Sequence, residues 1–235
     1  MEITEEIAHI QGMPKKLVVF LHGYIDCAQG IEKTISDYIP RLHDCALHIP
    51  QAPIICEIHE KRRQWYSMHR FDPDDARKYV PTMRECASIY NKMTLGFEES
   101  FEYLNPYLDN LLQEYQLEDK DLYLCGFSQG AMLAIYTALM REKEIAGCVS
   151  FSGIMAPYKY LEQHAKSTPP FLLIHGDADN LVRFAALKFT KQKLEKLGAE
   201  VSTVAIKDGL HQITSEGLEK ATYFITTGKL PADED

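Results

Sequence analysis

No stretch of this chain approaches the roughly 18 consecutive apolar residues of a membrane-spanning helix. The first eleven residues are acidic and carry no apolar core, so they do not read as a secretory signal. A cytoplasmic location is the resulting expectation. Basic residues are also scarce: 25 Lys and Arg stand against 34 Asp and Glu, a net charge of −9. That sign argues against nucleic acid and anionic membrane surfaces as partners, and the lack of a long apolar run argues against stable membrane insertion. There is no HExxH, no Cys–His zinc spacing, no P-loop and no GxGxxG. Neither a metal nor an organic cofactor is expected. No repeat and no low-complexity linker divides the sequence, so residues 1–235 are read as one domain.

Six cysteines are present, at Cys27, Cys45, Cys56, Cys86, Cys125 and Cys148, and no two form a CxxC pair. Several lie in apolar runs, which favours free buried thiols, although the even count leaves a disulfide open. Short apolar strands are expected at 16–22 (KLVVFLH), 45–49, 122–127 (LYLCGF), 146–151, 171–175 (FLLIH) and 201–206. Strands apolar along nearly their whole length indicate a parallel sheet covered on both faces. Phe97, Phe101, Leu104, Leu108, Leu111, Leu112 and Tyr115 recur every three or four residues and mark a helix, with Pro106 placed to kink it. Further helices are expected at 129–140, 181–197 and 215–225. The alternation predicts an α/β fold, with a mostly parallel central sheet and helices on both faces. Residues 57–95 break the rhythm: EKRRQ, the pair Trp65-Tyr66, then FDPDDARKY. Two readings compete for an excursion of that length, a surface loop of no consequence or a cap over the active site, and the cap is the working expectation because long ordered loops often carry function. The acidic end, 229–235, is read as a flexible tail.

Gly126-Phe127-Ser128-Gln129-Gly130 is a GxSxG placed directly between a strand and a helix. At ordinary glycine and serine usage, a chance match occurs in about one chain in ten of this length. The placement makes it far more specific, because a tight strand-to-helix turn is what lifts a serine hydroxyl clear of a sheet. A serine is a weak nucleophile and needs a base held by a carboxylate. In this arrangement the order is serine, acid, histidine. Asp177 and Asp179 both follow the strand at 171–175, and His211 follows the strand at 201–206. Spacing alone leaves both aspartates open as the acid. A second oxyanion donor is expected from the Tyr24 backbone beside that of Gln129, because Leu21-His22-Gly23-Tyr24 ends the first strong strand. His22 and His175 are read as holding loops by hydrogen bonds.

Together LHG near the start, QWY in the excursion, GFSQG, HGDADNLV and GLH resemble the phospholipase/carboxylesterase family of α/β-hydrolases, which includes the acyl-protein thioesterases. The resemblance runs over about residues 16–225. It implies an α/β-hydrolase fold with Ser128, Asp179 and His211 as catalytic residues and Tyr24 and Gln129 as oxyanion donors. It also implies that Trp65 shapes the substrate pocket, with Ile25 and Val182 flanking it. Two positions depart from the family pattern: Ile25 stands where glycine is common, and Arg183 where proline is common. A bulkier entrance loop and an extra cation beside the pocket are the expected effects.

The function expected is hydrolysis of carboxylic esters or thioesters through an acyl-enzyme on Ser128, with a small-molecule ester or acylated substrate. The alternative is an inactive α/β-hydrolase serving as a binding module. A peptidase would need a larger added domain, and a lipase an apolar lid in place of the charged 57–78. Related folds pair through surface loops, so a homodimer stays open.

Overall fold

The computed structural model describes residues 1–10 and 12–233; Gln11, Glu234 and Asp235 lie outside the described residues. The strands are β1 (Glu6–Ile10), β2 (Lys16–Leu21), β3 (Cys45–Pro50), β4 (Ile54–Cys56), β5 (His59–Gln64), β6 (Leu122–Phe127), β7 (Gly147–Phe151), β8 (Phe171–Gly176) and β9 (Val201–Ile206). The helices are α1 (Ala28–Ile35), α2 (Met68–Phe71), α3 (Met83–Asn91), α4 (Thr94–Tyr115), α5 (Gln129–Met140), α6 (Tyr158–His164), α7 (Ala185–Lys196) and α8 (Ser215–Thr227). A seven-stranded sheet has the order β1-β3-β2-β6-β7-β8-β9, and β4 and β5 form a separate hairpin. Within the seven-stranded sheet, among the described residues, only β1 is antiparallel to its neighbour, giving the α/β-hydrolase arrangement of a mostly parallel sheet.

Alternate residues of each inner strand feed two cores. Val18, Phe20, Cys125, Val149 and Leu172 face α1 and α8. Leu17, Val19, Leu21, Leu124 and Leu173 face α3 to α7. This two-sided burial is why the strands read as continuous apolar runs. Every residue of α5 is buried, as its small apolar sequence foretold.

Two expectations need correction, the start of the helix at 181 and the tail, and two further features add to the sequence reading. Strand β1 was not foreseen; its half-buried alternation suits an edge strand rather than a doubly covered one. The helix expected from 181 begins at Ala185, because Asp179 Oδ1 accepts from the Leu181 and Val182 N–H groups and folds that segment into a turn. Helix α4 runs through Pro106. Proline there removes only a bond to the carbonyl of Glu102, and both residues face water. The tail is tied down as far as Asp233. Ser202 Oγ donates to Pro231 O, and Asp233 Oδ1 accepts from Thr203 N at 2.8 Å. The rest of the expected tail, Glu234 and Asp235, lies outside the described residues.

All six cysteines are free thiols, and only Cys27 is partly exposed. Among the described residues no helix is long and apolar enough to cross a membrane. Replacing Pro106 with Ala is expected to restore one helical hydrogen bond and raise stability by about 1–2 kcal/mol, after allowing for the freer unfolded chain. The urea midpoint of the variant measures it.

Candidate active site

Strand order reverses beside β2, which pairs β3 on one side and β6 on the other. Open parallel sheets bind ligands at such a point, outside the C-terminal strand ends. Ser128 follows β6 there, Tyr24 follows β2, Asp179 follows β8 and His211 follows β9.

The turn at Ser128 is sharp. Its backbone sits at φ 53° and ψ −115°, a region that costs an ordinary residue about 1–3 kcal/mol. The strand and helix can approach this closely only because the flanking residues lack side chains. A Cβ on Gly126 would lie 2.4 Å from the Gly130 carbonyl carbon, and one on Gly130 would lie 2.3 Å from Leu21 O. The turn leaves the Gln129 N–H at the start of α5, where helical N–H groups have no internal acceptor. Among the described residues, neither this N–H nor that of Tyr24 has a protein acceptor.

Asp179 is buried and receives contacts from several directions. Its Oδ1 accepts from two backbone N–H groups at 2.9 Å each. Its Oδ2 lies 2.7 Å from His211 Nδ1 and 3.3 Å from His175 Nε2. Burial pushes the carboxyl up, but the hydrogen bonds from His175 and His211 and the charge of His211 outweigh it, holding the group well below the usual carboxylate range. Asp177, two residues earlier, is exposed. With Nδ1 committed to Asp179, His211 keeps Nε2 as its basic nitrogen. The ring packs on Phe127, centroids 4.9 Å apart. No hydrogen bond joins Ser128 to His211 among the described residues, a gap ordinary before substrate binds.

Ser128 and His211 line one cavity of about 320 Å³. Tyr24, Ile25, Gln129 and Val182 line it too, so all but two of the expected site residues meet there. One of those two, Asp179, stands behind His211. The other, Trp65, is a correction. It is fully buried and absent from the cavity wall. Its indole Nε1 donates to His22 O at 2.8 Å and its backbone N–H donates to Gln129 Oε1 at 2.9 Å. A buried indole N–H requires an acceptor, and this one finds it beneath the loop that carries Tyr24.

The excursion at 57–95 supplies wall residues that sequence reasoning missed: Ile58, Met68, His69, Arg77, Lys78 and Tyr90 among them. Met132 was within reach, because it lies one helical turn beyond Ser128 on the expected helix. Arg77 and Tyr90 were not, because only the folded excursion turns them inward. Arg77 is buried yet balanced: Nη1 lies 2.6 Å from Asp72 and Nη2 lies 2.7 Å from Asp75. Asp75 also pairs with Lys78. The polar wall is therefore close to neutral.

Over residues 3–228 the chain matches the family model described as Phospholipase/Carboxylesterase. The protein belongs to the phospholipase/carboxylesterase family. It is 28% identical over 219 residues to Acyl-protein thioesterase 1 homolog 1 of Dictyostelium discoideum, covering 89% of this chain and 88% of that one. It is 29% identical to Lysophospholipase-like protein 1 of Mus musculus, over 68% of this chain and 72% of the relative. The crystal structure of esterase PE8 superposes with a TM-score of 0.80 at 28% identity, covering 94% of this chain and 96% of the other. Family membership makes the protein a hydrolase of the esterase and thioesterase class.

The two departures from the family pattern now have a physical description. Ile25 adopts φ 59°, the left-handed region that suits glycine and strains a β-branched residue. Its side chain stands in the cavity wall. Arg183 puts no free cation into the pocket. Its guanidinium donates to Lys78 O at 3.0 Å and to Pro81 O at 3.3 Å, tying the Asp179 loop to the excursion.

His22 and His175 hold loops, as expected. His175 Nε2 donates to Val182 O. His22 Nδ1 donates to Gly23 O, and its Nε2 accepts from Ala52 N at 3.1 Å. An accepting nitrogen must be unprotonated, and burial lowers the ring to about 4. In an unfolded chain the ring titrates near its ordinary value of about 6.5. Between those values the unfolded chain binds the extra proton, so stability falls as pH falls. The slope from this one group is about 1.4 kcal/mol per pH unit from about pH 6.5 down toward 4. A His22→Asn variant should lack that component. Urea unfolding of both proteins at pH 7, 6 and 5 measures the difference.

Proposed function

We propose that this protein is a serine esterase or thioesterase working through an acyl-enzyme on Ser128. The observation that carries the reading is the hydrogen bond between buried Asp179 and His211, at the edge of the cavity that the strained Ser128 shares.

His211 Nε2 takes the Ser128 proton as Oγ attacks the acyl carbon. Asp179 keeps the proton of Nδ1 in place and stabilises the imidazolium that forms. The Tyr24 and Gln129 N–H groups receive the oxyanion. Collapse of the tetrahedral species expels the alcohol or thiol, which takes its proton from Nε2. Water then enters, gives a proton to the same nitrogen and attacks the acyl-enzyme. A second collapse releases the acid and returns the proton to Ser128.

The cavity supports short acyl groups. Its volume is near the lower end of the roughly 300–1,000 Å³ of small-molecule pockets. Part of its wall is polar and exposed, with His69 and Lys78 among the lining residues. An alkyl chain pressed against these would strip water from polar groups and offer nothing in return. Free thiols throughout the chain fit the reducing conditions of a cytoplasmic location.

Activity on p-nitrophenyl esters from acetate to palmitate tests this reading. kcat/KM should peak at acetate or butyrate and fall steadily toward palmitate. Ser128→Ala should lose at least about 10⁴-fold in kcat. A native protein inert toward every ester, toward a thioester and toward a fluorophosphonate probe would replace the enzyme by the binding module.

Ile25→Gly should shift the optimum to longer chains, because it removes a side chain from the wall and a left-handed strain at once. An unchanged chain-length profile would show that Ile25 does not set the length limit.

A further inference from the structure

The loop from Gly23 to Cys27 lies outside helix and strand apart from a single bridge at Asp26, yet its backbone has to aim one N–H at a developing oxyanion. The hairpin β4–β5 braces it. Arg63 N donates to Asp26 O at 2.9 Å, the one ladder contact between the two. The second brace is a side chain. Glu57, in the hairpin turn, accepts from the Tyr24 hydroxyl at 3.1 Å and from His69 N at 2.7 Å on one oxygen. Its other oxygen accepts from Ser67 Oγ and from Gln64 Nε2. Four donors from three segments thus converge on one carboxylate. Burial alone would raise this group. The hydrogen bonds outweigh it and keep the carboxyl below its ordinary range, so it stays the charged acceptor these donors need.

The geometry points to Glu57 as a positioning residue for the oxyanion loop, acting through the Tyr24 phenol. It rests on the reading of the Tyr24 N–H as an oxyanion donor. Ile25 gives the brace its purpose. A β-branched residue held at φ 59° relaxes if it can, and relaxation there would rotate the peptide groups on either side. Anchoring the preceding side chain to a fixed charge opposes that rotation. Because His69 lines the cavity and hangs from the same carboxylate, the excursion wall and the oxyanion loop are set by a single group.

Glu57→Gln, Tyr24→Phe and the double variant test this on p-nitrophenyl acetate, with active sites counted by a fluorophosphonate. Tyr24→Phe removes only the hydroxyl and leaves the backbone N–H in place. Each single variant should lose about tenfold in kcat per titrated site. That is less than the roughly 10²–10³ lost when an oxyanion donor is removed outright, because the donor remains but is misaimed. KM should stay within about twofold. The double variant should lose no more than either single one, since both break the same link. A Glu57→Gln protein that melts earlier but keeps full kcat per titrated site would overturn the proposal, as would losses that multiply in the double variant. Should Glu57→Gln fail to fold, Tyr24→Phe carries the test, because the other three donors to Glu57 remain. An active Ser128→Ala protein would sink the serine mechanism instead, an outcome separate from any of these.

Discussion

Gln129 spends both ends of its side-chain amide on the backbone of the excursion. Oε1 accepts from Trp65 N, and Nε2 donates to Tyr66 O at 2.8 Å. The residue next to the serine is thereby joined to the segment that walls the cavity. Trp65 passes the constraint on. Its indole reaches His22 O, and its carbonyl accepts from Ser100 and Tyr103 on α4. A buried amide that lost any of these partners would be left unsatisfied, at a cost of about 1–3 kcal/mol each. The Ser128 turn, the Tyr24 loop and the excursion therefore hold their shape together or not at all.

The acid side is organised by the same logic with a charge at its centre. Asp179 closes its own turn with Oδ1 and orients His211 with Oδ2. A short turn and the orientation of an imidazole come from one carboxylate. Arg183 then fastens that turn to the excursion through two backbone carbonyls. The long polar segment between β5 and α4 is in this way anchored at both the serine end and the acid end of the site.

What could be read from the sequence follows from where the physics is local. The strands at 122–127 and 201–206 and the helix at 129–140 were legible to the residue; burial on both faces leaves an unbroken apolar signature in the first and last of these, and the outer strand keeps a largely buried VSTVAI run. Ser128 and His211 were expected beyond such strands and line one cavity there, whereas the spacing left Asp177 and Asp179 both open, and only the fold distinguishes the exposed Asp177 from the buried Asp179. The excursion was not. Strand β5 carries HEKRRQ, a charged run that shows no alternation, and it is held by pairing with β4 and with Asp26 rather than by apolar burial. Trp65 was placed in the pocket by the family resemblance of its QWY motif. The acceptor for its indole N–H lies 43 positions earlier in the chain, and no local pattern reveals it.

The bonds between Asp233 and β9 have a consequence for behaviour in crowded solution. β9 is an outer strand of the sheet, and an outer strand offers unpaired backbone groups to any passing chain. Here a carboxylate occupies the Thr203 N–H, and Lys191 pairs with the same acid. An incoming strand would have to expel a charge before it could add to the ladder. The last described residue of the chain thus serves as a guard against edge-to-edge polymerisation, at the opposite side of the sheet from β1.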